Sequence, residues 1–439
     1  VVYVATEGNS LIAFDARSGQ QLWSHNYGTP VPHDWVGNYT GCGTSNYYGI
    51  QGTPVIDTST DTMYFDAFTV VGGAAQHVIH AVSPQTGNDK QTPVTVTGNG
   101  NTPPQLGFIP INQRQRAAMT LANGLVYVAF GSFCDKGTDT SFGQIMGYPA
   151  NNISAGYGPY RWIATNLPHY NCNNYYMGAI WGSGFGPAVD ASGNLYVATG
   201  NGCINYNNGS TTATSTGAFS QSVVKLTSGL GSGIIANNLF SPCNAAQEST
   251  WDYDLSSGGV VVLPDQAGSY PHLAIAGGKT GISYMLNRDR LSGKNCPDQN
   301  VSQLRTSAYN SSQPDNGIFG GPAVWKQSDG NTYVAIAGGG SNGLNSYLVT
   351  SSGALSTVGT APNNYGDYPL HGEGGTMPVI SSNGTQSGSM ILWYVLRPGN
   401  PGQPLAGRVD LVAYNAENIN AGWIFHSLDQ NQPQAGWWD

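Results

Sequence analysis

The chain has 439 residues, which is long for one compact core but usual for a closed all-β domain. Charged residues make up only 9% of it, against roughly 25% in an average globular protein. A hydrophobic content of 39% supports a core and excludes a disordered chain. The net charge of −9 comes without any basic run, so we expect no nucleic-acid partner. No apolar stretch approaches the roughly 18 residues of a membrane span.

The low charge density points to an acidic environment. At about pH 2 the carboxylates would be protonated, and the 15 Lys and Arg residues with the 8 His residues would set a net charge of about +23. A chain with the usual Lys and Arg content would carry a much higher charge, and self-repulsion would favour unfolding. We therefore expect an acid-exposed compartment. The alternative is any secreted β protein rich in Asn, Ser and Thr.

The cysteines are widely spaced and contain no CxxC motif, so the sequence predicts no zinc or other metal site. An even number fits up to three disulfides in an oxidising compartment, with the pairing left open. We therefore expect a periplasmic or extracellular protein. The six cysteines are Cys42, Cys134, Cys172, Cys203, Cys243 and Cys296.

Along the chain, apolar and polar residues alternate with period two between turns of Gly, Asn, Asp and Pro, which is typical of β-strands. The opening stretch is "VVYVATEGNSLIAFDARSGQQLW". Six later stretches share one plan, in which a small or Gly-rich entry leads into an apolar strand, a polar turn and a second strand. In chain order they are "GTPVIDTSTDTMYFDAF", "AAMTLANGLVYVAFG", "GFGPAVDASGNLYVATG", "SGGVVVLPDQAGSYPHLAIAGG", "GGPAVWKQSDGNTYVAIAGG" and "GTMPVISSNGTQSGSMILWYVL".

Each repeated stretch would form the inner hairpin of a four-stranded blade. The sequence therefore predicts an all-β fold, a β-propeller of seven or eight antiparallel blades, with residues 1–439 as a single domain. The first stretch lacks an inner strand, which we expect from a segment before Val1 or from the C-terminal tail. A β-sandwich is the alternative architecture.

Two carboxylates, Asp252 and Asp254, directly precede a predicted inner strand in "WDYDLSSGGVVVLPD". In a propeller the innermost strands line the central channel, so residues just before them form a ring at one mouth. We predict Asp254 as a general base that takes a proton from water, with Asp252 as its substitute. Capping of backbone N–H groups is the structural alternative. Lys279, in "GGKTG", is expected on an outer turn.

Further polar residues stand at the same offset in other blades, just before each predicted inner strand, and we expect them around one cavity. Arg suits a small anionic substrate because its planar fork forms bidentate bonds to oxyanions. We predict Arg116, Arg114 and His371 as an anion clamp. The alternatives are charge neutralisation by the arginines, packing for Trp181 and a local His371–Glu373 ion pair. The full set at this offset is Gln51, Arg114, Arg116, Trp181, Ser183, Asp315, Asn316, His371 and Glu373, of which Trp181, Asn316 and Glu373 complete the predicted substrate-binding residues.

The pattern A-x-D-x-x-[ST]-G-x-x-x-W in "AFDARSGQQLW" resembles the tryptophan-docking repeat of the pyrroloquinoline-quinone propeller superfamily. In that repeat Asp15 and Gly19 would shape the turn, and Trp23 would dock between neighbouring blades. A longer likeness covers most of the chain and resembles a secreted bacterial, quinone-repeat branch. It includes "GPAVDASGNLYVATGNG", "PHLAIAGGKTG" and "MLNRDR".

Quinoprotein alcohol dehydrogenases carry an adjacent Cys-Cys pair beside the quinone. This chain has no such pair, so we expect no cofactor. Within the superfamily, the acid-adapted composition is similar to that of the tetrathionate hydrolases of acidophilic sulfur oxidisers. The resemblance implies hydrolysis of tetrathionate to thiosulfate, sulfur and sulfate. A quinone-dependent dehydrogenase, a polysaccharide lyase and a non-catalytic scaffold or binding protein are the alternatives, and the oligomeric state stays open, a homodimer included.

Overall fold

The computed structural model describes residues 1–36, 45–98, 107–133, 135, 141–165, 177–182, 184–204, 217–231, 233–305, 317–338, 343–361, 376–396 and 410–427. Almost all regular structure within these residues is β. Seven antiparallel sheets, most of them four-stranded, follow one another along the chain and form the blades of a seven-bladed β-propeller. The predicted fold class is confirmed, and so is the lower of the two expected blade numbers.

The described residues up to Asn238 form one compact unit. It holds the first three blades and most of the fourth. Blade 1 has the strands Val2–Ala5, Ser10–Phe14 and Gln21–Asn26, and blade 2 has Val55–Asp57, Thr62–Val71, Ala74–Val82 and Val94–Thr95. Blade 3 has Thr120–Ala122, Leu125–Ser132, Gln144–Pro149 and Arg161–Ile163, with Gln113–Arg114 also paired to its second strand. A two-stranded ribbon joins Val31–Pro32 to Tyr47–Tyr48, and 3₁₀ turns span His33–Val36, Pro110–Asn112 and Ile153–Ala155.

Blade 4 has the strands Ala188–Val189, Leu195–Ala198, Val223–Gly229 and Gly233–Ser241, and Gly293–Lys294 adds a short parallel strand. The described residues from Leu239 onward form the second compact unit. Its blade 5 has Val260–Val262, Leu273–Gly277, Ile282–Asn287 and Ser302–Arg305. Blade 6 has Ala323–Lys326, Thr332–Ala337, Leu344–Val349 and Leu355–Thr360, and blade 7 has Val379–Ser381, Ile391–Leu396, Asp410–Asn415 and Trp423–His426. An α-helix spans Ala245–Thr250, and 3₁₀ turns span Leu255–Ser257 and Ile419–Ala421.

The six repeated stretches of the sequence each supply the first two strands of blades 2 to 7, as predicted. Blade 1 has three strands, in the order Val2–Ala5, Ser10–Phe14 and Gln21–Asn26, so the missing inner strand is confirmed within the described residues. The expectation that this strand comes from a preceding segment or from the tail stays a prediction, because residues 428–439 lie outside the described part of the chain.

Strand alternation decides how neighbouring blades pack, because successive side chains in a strand point to opposite faces of the sheet. In the second strand of blade 6, Val334 and Ile336 join a core cluster with Ile275 and Met285 of blade 5. Ala335 and Ala337, one step along, join a cluster with blade 7 residues such as Leu392. Both faces of this sheet are therefore buried at this strand, which explains why it is apolar from Tyr333 to Ala337.

The tryptophan-docking motif of blade 1 acts as predicted. Asp15 accepts hydrogen bonds from the backbone N–H groups of Arg17 and Ser18 and from the Ser18 hydroxyl, which shapes the turn. Trp23 Nε1 donates to the carbonyl of Pro84 at 3.1 Å, in the turn between strands of blade 2. Gly87 of that turn has a φ of +75° and no room for a Cβ against Trp23, so glycine is required there.

A disulfide joins Cys243 to Cys296 with Cα atoms 4.9 Å apart and a separation of 53 residues. Cys203 is also disulfide-bonded. No cysteine is free among the residues that the structure describes, and Cys42, Cys134 and Cys172 lie outside them. The expectation of disulfides is confirmed for these described cysteines.

Glu248, in the α-helix that follows Cys243, is 2% exposed. Burial, and then the nearby charge of Asp298, raise the pKa of Glu248 to about 8, although a hydrogen bond with Asn244 opposes the shift. The Asp298 carboxylate accepts a hydrogen bond from the Cys243 N–H at 2.6 Å, and burial raises its pKa too. The burial of Glu248 beside the partly buried Asp298 therefore favours the protonated form of Glu248 in the native state.

We predict that replacing Cys243 and Cys296 together by Ala destabilises the second unit. The cross-link restricts the unfolded chain over a loop of 53 residues, so its loss should lower the free energy of unfolding by about 2–4 kcal/mol. Thermal and urea unfolding of the variant, followed by tryptophan fluorescence, measure this change. Unfolding midpoints equal to those of the wild type would contradict it.

We also predict that stability falls as pH rises from about 4.5 to about 8, because the native state keeps a proton on Glu248 that the unfolded state releases near pH 4.5. Glu248→Gln removes this penalty, so the variant should match the wild type near pH 4 and exceed it near pH 8, by up to about 5 kcal/mol. Urea unfolding at both pH values checks this. Glu417→Gln, on a partly exposed turn, is the control and should keep the wild-type pH dependence.

Candidate functional site

The entrance to the first strand of blade 5 carries the two predicted carboxylates. The α-helix ends at Thr250, and Asp252 follows with a φ of +61°, a left-handed conformation that Asp tolerates better than most residues. Asp254 immediately precedes the 3₁₀ turn Leu255–Ser257, which leads into the strand. The sharp change of direction at Asp252 separates an exposed carboxylate from a buried one.

Glycines bring this entrance close to its neighbours. A Cβ on Gly258 would lie 2.5 Å from the carbonyl oxygen of Gly277 and 2.7 Å from Ile318. Gly259 has a φ of +64°, which favours glycine. The Ser257 hydroxyl donates to the carbonyl of Ile318 at 2.6 Å, which fixes the turn against the start of blade 6.

Lys279 joins the two carboxylates. Its Nζ lies 2.7 Å from Asp254 Oδ2 and 3.1 Å from Asp252 Oδ1. Asp254 is 2% exposed, whereas the side chain of Asp252 is 73% exposed and that of Lys279 is 17% exposed. The cluster therefore runs from a buried carboxylate through a mostly buried ammonium to a carboxylate that faces solvent.

The expectation that Lys279 sits on an outer turn is wrong. In blade 5 the first and second strands are antiparallel, with Val260 opposite Ala276, so the start of one lies beside the end of the other. The Lys279 N–H accordingly donates to the carbonyl of Asp254 at 3.1 Å. The predicted hairpin of these two strands was the available signal for Lys279, but it left open where the side chain lies.

Two effects oppose each other at Lys279. Burial alone would lower its pKa, but the charges of Asp254 and Asp252 outweigh burial and raise the pKa above the ordinary lysine value. Lys279 is therefore positively charged at every pH from acid to neutral. A buried ammonium between two carboxylates keeps positive charge beside them where solvent is largely excluded.

The predicted arginines lie in the first unit, and aromatic rings and amides hold them. Arg114 Nε donates to Gln51 Oε1 at 2.9 Å, and Gln51 in turn donates to Glu7. The Arg114 guanidinium lies 5.3 Å from the ring centre of Tyr48 and 5.6 Å from that of Phe133. Such cation–π contacts orient the guanidinium plane.

Arg116 and Trp181 form a second pair in the same unit. The Arg116 guanidinium lies 5.0 Å from the Trp181 ring centre, and its Nε donates to the Trp181 carbonyl at 3.4 Å. Trp181 is 7% exposed. Its ring packs against Arg116, which is the packing role that the sequence left open as an alternative to substrate contact.

A buried His–Asp contact that the sequence analysis missed fixes the backbone beside Arg114. His77 Nδ1 lies 2.6 Å from Asp66 Oδ2, and both residues are 1% exposed. His77 Nε2 lies 3.0 Å from the carbonyl of Gln113, which can only accept, so Nε2 donates. Gln144 Nε2 donates to the Gln113 side chain at 3.2 Å. In the sequence, Asp66 and His77 stand on two strands of one hairpin and give no other signal.

The remaining predicted residues lie outside the described part of the chain. They are Asn316, His371 and Glu373, together with Ser183 and Asp315 at the same offset. The structure thus brings Asp252 and Asp254 together around Lys279 and pairs Arg116 with Trp181. The convergence of all these residues on one cavity stays a prediction.

No helix among the described residues is long and apolar enough to cross a bilayer. No protein-family model and no curated protein matches the chain. The chain is similar to the solved structure of BamB from Moraxella catarrhalis, with 13% identity, 81% of this chain and 68% of that chain covered and a TM-score of 0.34. It is also similar to the WD40 repeats of RRP9, with 8% identity, 92% of this chain and 86% of that chain covered and a TM-score of 0.42. For the Dos1 propeller the identity is 10%, the coverage is 91% of this chain and 73% of that chain, and the TM-score is 0.43. None of these likenesses assigns an activity or a partner to the chain.

Proposed function

We propose that the protein is an acid-active hydrolase that splits tetrathionate with water to thiosulfate, sulfur and sulfate. The observation that carries the proposal is the contact of Lys279 with Asp254 and Asp252 at the entrance of blade 5. The chain has only 15 Lys and Arg residues, and one of them forms the centre of this cluster with its side chain mostly buried. Burying charges is unfavourable unless they are paired, and clusters of this kind are concentrated at functional sites.

Exposure separates the roles of the two carboxylates. Asp254 is 2% exposed and bonded to Lys279, so it is suited to hold the ammonium in place. The Asp252 side chain is 73% exposed and can meet water from the solvent side. The sequence favoured Asp254 as base with Asp252 as its substitute. Burial favours the reverse order, with Asp252 as the base and with Asp254 and Lys279 as the groups that position it.

Hydrolysis in this scheme needs no external oxidant or reductant. The water oxygen bonds to a terminal sulfonate sulfur, a proton passes to the carboxylate, and the S–S bond to that sulfur breaks. The electron pair of this bond leaves with the fragment S₃O₃²⁻, which separates into elemental sulfur and thiosulfate. One tetrathionate and one water thus give thiosulfate, sulfur, sulfate and two protons. The leaving fragment gains negative charge, which nearby cations stabilise.

The predicted anion clamp is the second part of the proposal. Arg114 and Arg116 are held by ring contacts, and a guanidinium is charged at every relevant pH, so each could bind an oxyanion without reorganising. His371 would add a donor when protonated. Glu373 and Asn316 complete the proposed binding residues, and Trp181 orients Arg116 through their ring contact.

The proposed setting is the periplasm or the outer cell surface. The disulfide Cys243–Cys296 favours an oxidising compartment. The raised pKa of Glu248 favours acid, because the native state holds its proton most easily there. The low content of charged residues supports the same setting.

We predict that the purified protein releases thiosulfate from tetrathionate without added quinone or metal. Measured from about pH 2 to about pH 7, its turnover should peak in mild acid, because the carboxylate base must be ionised while His371 is protonated. Asp252→Asn should lower kcat/KM by about 10²–10⁴-fold, the usual contribution of a general base. Asp61→Asn is the matched control and should keep full activity, because Asp61 is also exposed and also left-handed, with a φ of +52°.

Two further variants separate the roles within the cluster. Asp254→Asn and Lys279→Met should lower kcat through misplacement of Asp252, and circular dichroism must show that both variants still fold. Full activity in Asp252→Asn with loss in Asp254→Asn would move the base to Asp254. Absence of thiosulfate release by the wild type at every pH would refute the hydrolase.

A further inference from the structure

Blade 5 contains a cavity of about 190 Å³ at the end of its third strand, Ile282–Asn287, next to the start of its fourth strand, Ser302–Arg305. We propose that this cavity binds a small organic carboxylate with an apolar body. The proposal is independent of the proposed hydrolase activity, and it takes up the "NRDR" segment, residues 287–290, which the proposed function does not use.

The cavity lies away from the Asp252, Asp254 and Lys279 cluster. That cluster lies at the end of blade 5 where the third strand begins, whereas the cavity lies where that strand ends at Asn287. Six residues separate the two positions, and an extended strand of this length spans about 20 Å. A ligand in the cavity therefore does not touch the proposed catalytic residues.

The two arginines of "NRDR" have different surroundings. Arg288 is 6% exposed and bonds the carbonyls of Leu273 and Leu263 and the carboxylate of Asp265, so its role is structural. Arg290 is exposed and lines the cavity, and within the described residues it forms no hydrogen bond or ion pair. The neighbouring Asp289 carboxylate accepts a hydrogen bond from His272 Nδ1 at 2.8 Å. Arg290 thus offers its charge to a ligand.

A second, independent observation is the Ser292 hydroxyl. Its Oγ is buried, lines the same cavity and has no hydrogen-bond partner among the described residues. Burying a polar atom without a partner is unfavourable, and a carboxylate oxygen accepting from this hydroxyl would remove that cost. Asn300, also in the lining, adds a side-chain amide. Charge, hydroxyl and amide together suit a carboxylate.

The remaining lining residues determine the polarity and size of the ligand that the cavity can hold. Leu286, Leu291 and Val301 supply apolar walls, and Tyr270 supplies an aromatic one. Apolar cavities of about 150 Å³ admit benzene, so a cavity of about 190 Å³ has room for one ring with a carboxylate. Benzoate has this size and polarity and is a suitable probe.

The test is titration of the intact protein with benzoate near neutral pH, by calorimetry and by ligand-observed NMR. We expect saturable binding with a Kd of about 1 mM, weakened at least tenfold in Arg290→Gln and severalfold in Ser292→Ala. Arg17→Gln removes an exposed arginine from blade 1 as the matched control and should bind as the wild type does.

Methyl benzoate, which has the same ring without the charge, should bind at least tenfold more weakly than benzoate. Equal binding of the two compounds would overturn the role of the carboxylate. Unchanged affinity in Arg290→Gln, or no saturable binding by the wild type, would overturn the site itself. Arg290 is exposed, so loss of binding in its variant does not reflect unfolding, and circular dichroism verifies this.

Discussion

The burial of both faces of a blade is the constraint on which the rest of this structure depends. In blade 6, Val334 and Ile336 pack toward blade 5, while Ala335 and Ala337 pack toward blade 7. Since alternate residues of one strand enter different cores, neither face has room for unpaired charges. Unpaired charges consequently lie at the strand ends and in the loops that join them, whereas Asp66 and His77, which lie within paired strands of blade 2, contact each other.

Polar groups with little exposure are stabilised by specific partners. Asp254 and Lys279 neutralise each other at 2.7 Å, and in the first unit His77 Nδ1 lies 2.6 Å from the carboxylate of Asp66. Each pair also fixes backbone, since Lys279 donates its N–H to the Asp254 carbonyl and His77 holds the carbonyl of Gln113. The same contacts therefore position Asp252, which faces solvent, and the backbone beside Arg114. Structure and proposed chemistry share one set of interactions.

The acidic groups suggest a protein suited to low pH. Glu248 is buried near Asp298, and its pKa is raised to about 8, so ionisation at neutral pH opposes folding. Lys279, in contrast, keeps its charge because two carboxylates outweigh its burial. Acid would thus favour the protonated Glu248 of the native state and leave the ammonium of the proposed site charged. A low overall charge density limits the repulsion that accompanies protonation.

The sequence by itself determined the all-β class, the first two strands of blades 2 to 7 and the tryptophan-docking turn. These features depend on local properties, namely the period-two alternation, the turn residues and the hydrogen bonds that Asp15 accepts from the nearby N–H groups of Arg17 and Ser18. It also placed Asp252 and Asp254 at a strand entrance. Only the tertiary structure decided that Lys279 joins them, that Asp254 is buried while Asp252 is exposed, and that Arg290 lines a cavity whereas Arg288 does not. The physical reason is that burial and ion pairing depend on which strand ends meet in space, and spacing along the chain leaves that open.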